Sequence, residues 1–260
     1  MKCREIISRL EALSPKEFAA SWDNVGLMVG RKDKEVKKVY ISLDATENDI
    51  AAAIEFKADM IINHHPLIFK PINNVTGDDY VGKRILNLIE NDMCCYAMHT
   101  NFDILGMADA AADLMELRRT RVLDVTFEDE ICEEGFGRVG LLPAIMNLGE
   151  CAEYVKEVFE LDYVKIFGDP DIMVELAAVS PGSGNSMIDK AVAAKADVLI
   201  SGDIDYNKGL DAVEKNLMII DTGHFGMEKL FMAYIEGFLR REFPGLEIAT
   251  SSDEDPCKIV

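Results

Sequence analysis

Apolar residues fall in short continuous runs separated by amphipathic segments, the pattern of strands covered on both faces by helices. Residues 37–43 (KKVYISL) read as a strand, followed by a helix from a Thr46 cap to Lys57. A strand over 59–63 (DMIIN) ends on His64-His65, and Pro66 stops the extended segment because it has no N–H for the ladder. A helix over 79–91, a strand over 93–98 (MCCYAM) and a helix over 107–117 complete the first half. The second half follows the same plan. A helix over 148–160 precedes strands at 163–168 and 175–179, and a helix then runs to Lys195. Strand 197–201, helix 207–215, strand 217–221, helix 226–242 and strand 246–250 lead to the acidic tail Ser252-Asp253-Glu254-Asp255, a solvated end.

The two halves repeat at residue level. Lys57-Ala58-Asp59-Met60-Ile61-Ile62-Asn63-His64-His65 aligns with Lys195-Ala196-Asp197-Val198-Leu199-Ile200-Ser201-Gly202-Asp203. His99-Thr100-Asn101-Phe102-Asp103 aligns with His224-Phe225-Gly226-Met227-Glu228, each a histidine with a carboxylate four positions on. Two matches in the same order imply a duplicated unit. The expected fold is therefore α/β, with two related, pseudo-symmetric lobes, mostly parallel sheets and a metal site in the cleft between them. The expected lobes span 1–125 and 126–260, with C-terminal helices free to cross over, in one two-lobed subunit.

Ligands of open parallel sheets bind at the carboxyl ends of strands. All four histidines of the chain fall there, each near further ligand-type residues. Adjacent His64 and His65 would point to opposite faces of a strand, but in a loop beyond it they can turn toward two ions. His224 and Glu228, four apart, share the first-turn face of a helix beginning near Phe225. Nitrogen and carboxylate donors of this kind suit iron, zinc, manganese or nickel alike. A lone histidine is more often a hydrogen-bonded core residue; it is the ordered set that points to metal.

Charge and composition narrow the partners. With 27 Lys and Arg against 47 Asp and Glu, the net charge of -20 disfavours direct nucleic-acid binding, and an anionic substrate would need positive charge that metal ions can supply. No apolar run has the ~18 residues of a membrane helix, and the charged N-terminus MKCREIISRLEAL has no signal-peptide core. Six cysteines without a CxxC fit reduced, partly buried thiols in the cytoplasm. Trp22, beside an ordered Asp23-Asn24-Val25-Gly26 turn, reads as a packing anchor rather than a substrate platform. Ser180-Pro181-Gly182-Ser183-Gly184 reads as a tight strand–helix connection or a cradle for an anion.

The ordered motifs SWDNVGLMVG, ISLDAT, IINHHPLIF, HTNFD, SGDIDYNKGLDA and IDTGHFGMEK resemble the NIF-three-like dinuclear-metal proteins, also catalogued as GTP cyclohydrolase 1 type 2 homologues, in their short form without an inserted domain. The resemblance implies a two-lobed subunit, a toroidal hexamer and two divalent metal ions per subunit. It implies His64, His65, Asp103, His224 and Glu228 as metal ligands, with Glu228 bridging and His99 handling protons as the catalytic residue. Where members often carry a histidine pair, this chain has Asp205-Tyr206-Asn207. The function so implied is a metal-dependent hydrolase acting on a nucleotide or phosphorylated small molecule. The alternative is a non-catalytic metal-binding scaffold, metallochaperone or regulatory interaction protein.

Overall fold

The computed structural model describes residues 1–252 and 255–259; of the acidic tail, Asp253 and Glu254 lie outside the described residues. The chain forms two compact units, residues 1–102 with 231–260, and residues 103–230. These boundaries differ from an even division at 125.

Helix α1 (Cys3–Leu13) buries Cys3, Ile6, Ile7 and Leu10, the spacing of one helical face. Its charged outer face hides this element from a search for apolar runs. Strands β1 (Gly26–Val29) and β2 (Lys38–Ser42) follow. Helix α2 (Glu47–Phe56) starts where the Thr46 hydroxyl accepts the Asp49 N–H, and it ends on Lys57 in the left-handed region, φ 61°. Strand β3 (Met60–Asn63), helix α3 (Tyr80–Glu90) capped by Asp79, strand β4 (Cys94–Ala97) and the short α4 (Thr100–Phe102) complete this stretch.

The second unit opens with a π turn, Asp103–Met107, that runs into α5 (Ala108–Leu114). A long antiparallel hairpin, β5 (Arg118–Glu128) and β6 (Glu133–Asn147), fills a segment that the apolar pattern left unassigned. Most of β5 is exposed and it is rich in arginine and acidic residues, so its hydrophobic signal is faint. There follow α6 (Leu148–Val158), β7 (Lys165–Phe167), β8 (Met173–Ser183), α7 (Ile188–Ala193), β9 (Val198–Gly202), α8 (Tyr206–Glu214), β10 (Met218–Asp221) and α9 (His224–Glu228). The single helix predicted over 226–242 is two, α9 and α10 (Leu230–Glu242); β11 (Glu247–Thr250) then returns to the first unit.

The first sheet has the order β1-β4-β3-β2-β11, parallel except at the β1 edge. Pairing of β11 with β2 is what assigns the C-terminal segment to the first unit. The second sheet, β5-β6-β8-β9-β10-β7, is parallel only across β8, β9 and β10. The hairpin and the edge strand β7 add antiparallel pairs, so this sheet is mixed rather than mostly parallel. Ile61 and Ile62 in one central strand, and Leu199 and Ile200 in the other, are fully buried. Burying each such side chain contributes about 1.5–3 kcal/mol.

The repeat seen in the sequence is a shared folding device. Lys57 and Lys195 both adopt left-handed φ, 61° and 60°. The following alanines then bond back to the helix, Ala58 N–H to Ala53 and Ala196 N–H to Ala191. Next, Asp59 Oδ2 accepts the N–H groups of Lys37 and Lys38 at the start of β2. Asp197 Oδ2 accepts those of Glu175 and Leu176 in β8. One carboxylate thus ties each central strand to its neighbour. Removing it strands two amide donors, and we expect Asp59→Ala and Asp197→Ala each to destabilise by about 1–3 kcal/mol. Asparagine, which keeps an acceptor, should lose less. Urea unfolding followed by circular dichroism measures this, and equal stability of the alanine and asparagine variants would contradict it.

Candidate metal centre

In the first unit, β2 and β3 end together. The backbone N–H groups of His64 and His65 both donate to the Leu43 carbonyl, at 3.0 and 2.9 Å. Two successive amides aimed at one oxygen take the chain off its extended path. The adjacent side chains therefore do not alternate; their rings lie 5.0 Å apart. Buried Asn63 braces the turn by donating to the His65 carbonyl and accepting from the Cys95 thiol. His99 follows β4, its ring 5.2 Å from His64 and 5.5 Å from His65. One nitrogen from each of these three histidines falls within 4.8 Å of the other two.

Each imidazole is oriented through Nδ1. His64 Nδ1 lies 2.7 Å from the Met98 carbonyl, which can only accept, so Nδ1 carries the proton and Nε2 the lone pair. His65 Nδ1 meets Asp44 at 3.0 Å and His99 Nδ1 meets Asp23 at 2.9 Å. Burial pushes the Asp23 carboxyl upward, but hydrogen bonds from His99 and from the Thr100 N–H and hydroxyl outweigh it and hold the pKa at about 2. Asp23 is ionised at any working pH and fixes the His99 tautomer.

In the second unit, Gly223, with φ 72°, turns the chain from β10 into α9, which starts at His224. His224 Nδ1 contacts Asp203 at 2.8 Å and Nε2 contacts Glu228 at 3.2 Å. Glu228 is nearly buried, and its Oε1 occupies the space that a side chain at Gly182 would fill. Glu228 raises the His224 pKa most; burial opposes it, Asp203 adds to the rise, and the result is about 9. Asp103 opens the π turn, an irregularity frequent at functional sites.

The predicted residues thus fall into a three-histidine cluster in one unit and a His224–Glu228 pair in the other, with Asp103 at the start of the second unit. The orienting acceptors Asp23, Asp44 and Asp203 were not singled out from sequence. Their signal was their place in the motifs SWDN, ISLDAT and SGDID. Trp22 is no packing anchor, since it is 61% exposed. Residues 180–183 continue strand β8, and Gly182 faces the Glu228 carboxylate with His224 Nε2 close by. Asp205 stands at the position before α8 without a capping side-chain bond, and Tyr206 is exposed, so these departures from the family pattern lie at a helix start.

The donors fit divalent metal: imidazoles with Nε2 lone pairs, each braced by an oxygen acceptor, together with carboxylates. A two-lobed α/β protein with histidine–carboxylate clusters beyond its strand ends is the class this fold and site define. Residues 1–256 match the model of Duf34/NIF3 (NGG1p interacting factor 3), and the chain belongs to that family. A GTP cyclohydrolase 1 type 2 homolog of Methanocaldococcus jannaschii is 36% identical over 244 residues, covering 92% of this chain and 95% of that protein. One from Clostridium acetobutylicum is 35% identical, covering 88% and 85%. Among solved structures, a Bacillus cereus protein related to NIF3 superposes with TM-score 0.91 at 26% identity, covering 100% of this chain and 99% of that one. Reduced HcgD from Methanocaldococcus jannaschii superposes with TM-score 0.83 at 33% identity, covering 97% and 98%.

In chelator-treated protein, NMR titration of the His224 ring should give a midpoint near 9, and Glu228→Gln should lower it by removing the largest cause of the rise. A raised folded-state pKa contributes stability that is complete below the ordinary value near 6.5 and is lost as pH rises through about 9. A His224 midpoint unmoved by Glu228→Gln would refute the pairing.

Proposed function

We propose that the protein is a metal-dependent hydrolase with a dinuclear divalent-metal centre, for which His64, His65, Asp103, His224 and Glu228 are the ligands. The observation that carries this reading is the bracing of all four histidines through Nδ1, which leaves Nε2 as the nitrogen that can bind metal, in His224 once its proton is released. Divalent ions held by these side chains would supply Lewis acidity, polarising the bond to be cleaved and acidifying the attacking water.

The chain's own groups account for the proton. His99, held by ionised Asp23 on Nδ1, takes a proton at Nε2 and returns it to the leaving group; Asp23 stabilises the imidazolium in between. Glu228 offers two oxygens, which suits a bridging ligand. His224 must release its proton to act as a ligand, so metal affinity should rise with pH toward 9. The name shared by the curated relatives directs the substrate toward GTP or a related nucleotide, opened by hydrolysis of its purine ring. No helix among the described residues is long and apolar enough to cross a membrane. Six unpaired cysteines support a reducing, cytoplasmic setting, and the family resemblance supports a toroidal hexamer.

Elemental mass spectrometry of untagged protein should find about two ions per chain, falling toward zero in His64→Ala and Asp103→Ala. His99→Ala should keep the metal and lose hydrolysis by a factor of about 10²–10⁴. Metal-loaded protein that turns over nothing in a nucleotide panel would favour the scaffold reading, and turnover surviving in His64→Ala would overturn the centre itself.

A further inference from the structure

Beside the three histidines the first unit holds aromatic rings that the proposed chemistry does not use. The Trp22 and Phe69 rings lie 5.9 Å apart at 60°, and the His99 ring stands 6.1 and 6.3 Å from them at 71° and 72°. The three planes form the walls of a corner. Trp22 and Phe69 are 61% and 48% exposed, so much of both side chains faces solvent.

The backbone that carries these rings is held firmly. Asp23, next to Trp22, buries its side chain against His99 and Thr100. Asn24 donates to the Ile68 carbonyl at 2.6 Å, tying the Trp22 turn to the loop that carries Phe69. The Ala20 N–H donates to the Thr100 hydroxyl. A large ring left in water on a pinned backbone gives up burial free energy without gaining flexibility, and stacking on a planar ligand recovers it.

We propose that Trp22 and Phe69, with His99 as the third wall, form a stacking corner for the planar heteroaromatic part of the substrate. The proposal rests on the hydrolase reading for what the ring is presented to, and it names that substrate's class: a nucleoside-sized heterocycle. Stacking tolerates any such ring, because each has a π face. The net charge of -20 opposes a polynucleotide in the same place.

Trp22 is the only tryptophan of the chain, so its emission reports on the corner alone. Guanosine added to the full-length, metal-loaded protein should quench Trp22 saturably, while ribose 5-phosphate, which has no aromatic ring, should not. Phe69→Ala should weaken guanosine binding about tenfold or more, with metal content and thermal unfolding unchanged. Absence of saturable quenching by guanosine, adenosine and pterin alike would overturn the proposal. So would Trp22 emission that is blue-shifted and shielded from acrylamide before any ligand is added, since protein would then cover the ring. Guanosine binding with no turnover of any member of the nucleotide panel would keep the corner and sink the hydrolase reading. Turnover with KM unchanged in Trp22→Ala and Phe69→Ala would do the reverse.

Discussion

A single backbone oxygen decides where the first half of the candidate site stands. The Leu43 carbonyl receives two consecutive amides, from His64 and His65, and this fork ends the extended path of β3. Without it, strand alternation would send the two imidazoles to opposite faces of the sheet. The following residue, Asp44, then reaches His65 from the same strand end. The end of β2 therefore supplies both the turn and a brace for one of the side chains that the turn brings together.

Bracing through Nδ1 recurs with acceptors of different origin. A backbone carbonyl serves His64, and carboxylates from three separate motifs serve His65, His99 and His224. For His64, His65 and His99 the acceptor leaves Nε2 as the basic nitrogen, while His224, whose Nε2 meets Glu228, reaches that state only as its proton leaves near pH 9. In the internal alignment His65 corresponds to Asp203. The position that holds an imidazole in one repeat holds the carboxylate that orients an imidazole in the other.

The parallel strand–helix units were legible because their strands are apolar on both faces and their helices carry cap residues such as Thr46 and Asp79. The histidines were legible because each follows a strand. The β5–β6 hairpin was not, since a largely exposed and charged strand leaves no run of apolar residues. Helix α1 was hidden for the same reason, with only one face buried. The braces of the site were missed on different grounds. Aspartate is common, and Asp23 becomes distinctive only once folding brings it to His99, 76 residues away in sequence. Trp22 was misjudged because the usual fate of a tryptophan is burial; the bonds of its neighbours Asp23 and Asn24 keep it at the surface.

The carboxylates of Asp59 and Asp197 sit at the starts of two strands, one of which leads to His64 and His65 and the other to Asp203, the brace of His224. Each repeat therefore separates what keeps the strand in register from what does chemistry. Such a division lets duplicated copies drift apart in function without drifting apart in shape. At the clamped ends the copies still read Lys-Ala-Asp, while at the open ends one reads Asn-His-His and the other Ser-Gly-Asp. Register is thus held at one end of each strand, and the other end is left to carry a different set of polar side chains in each copy.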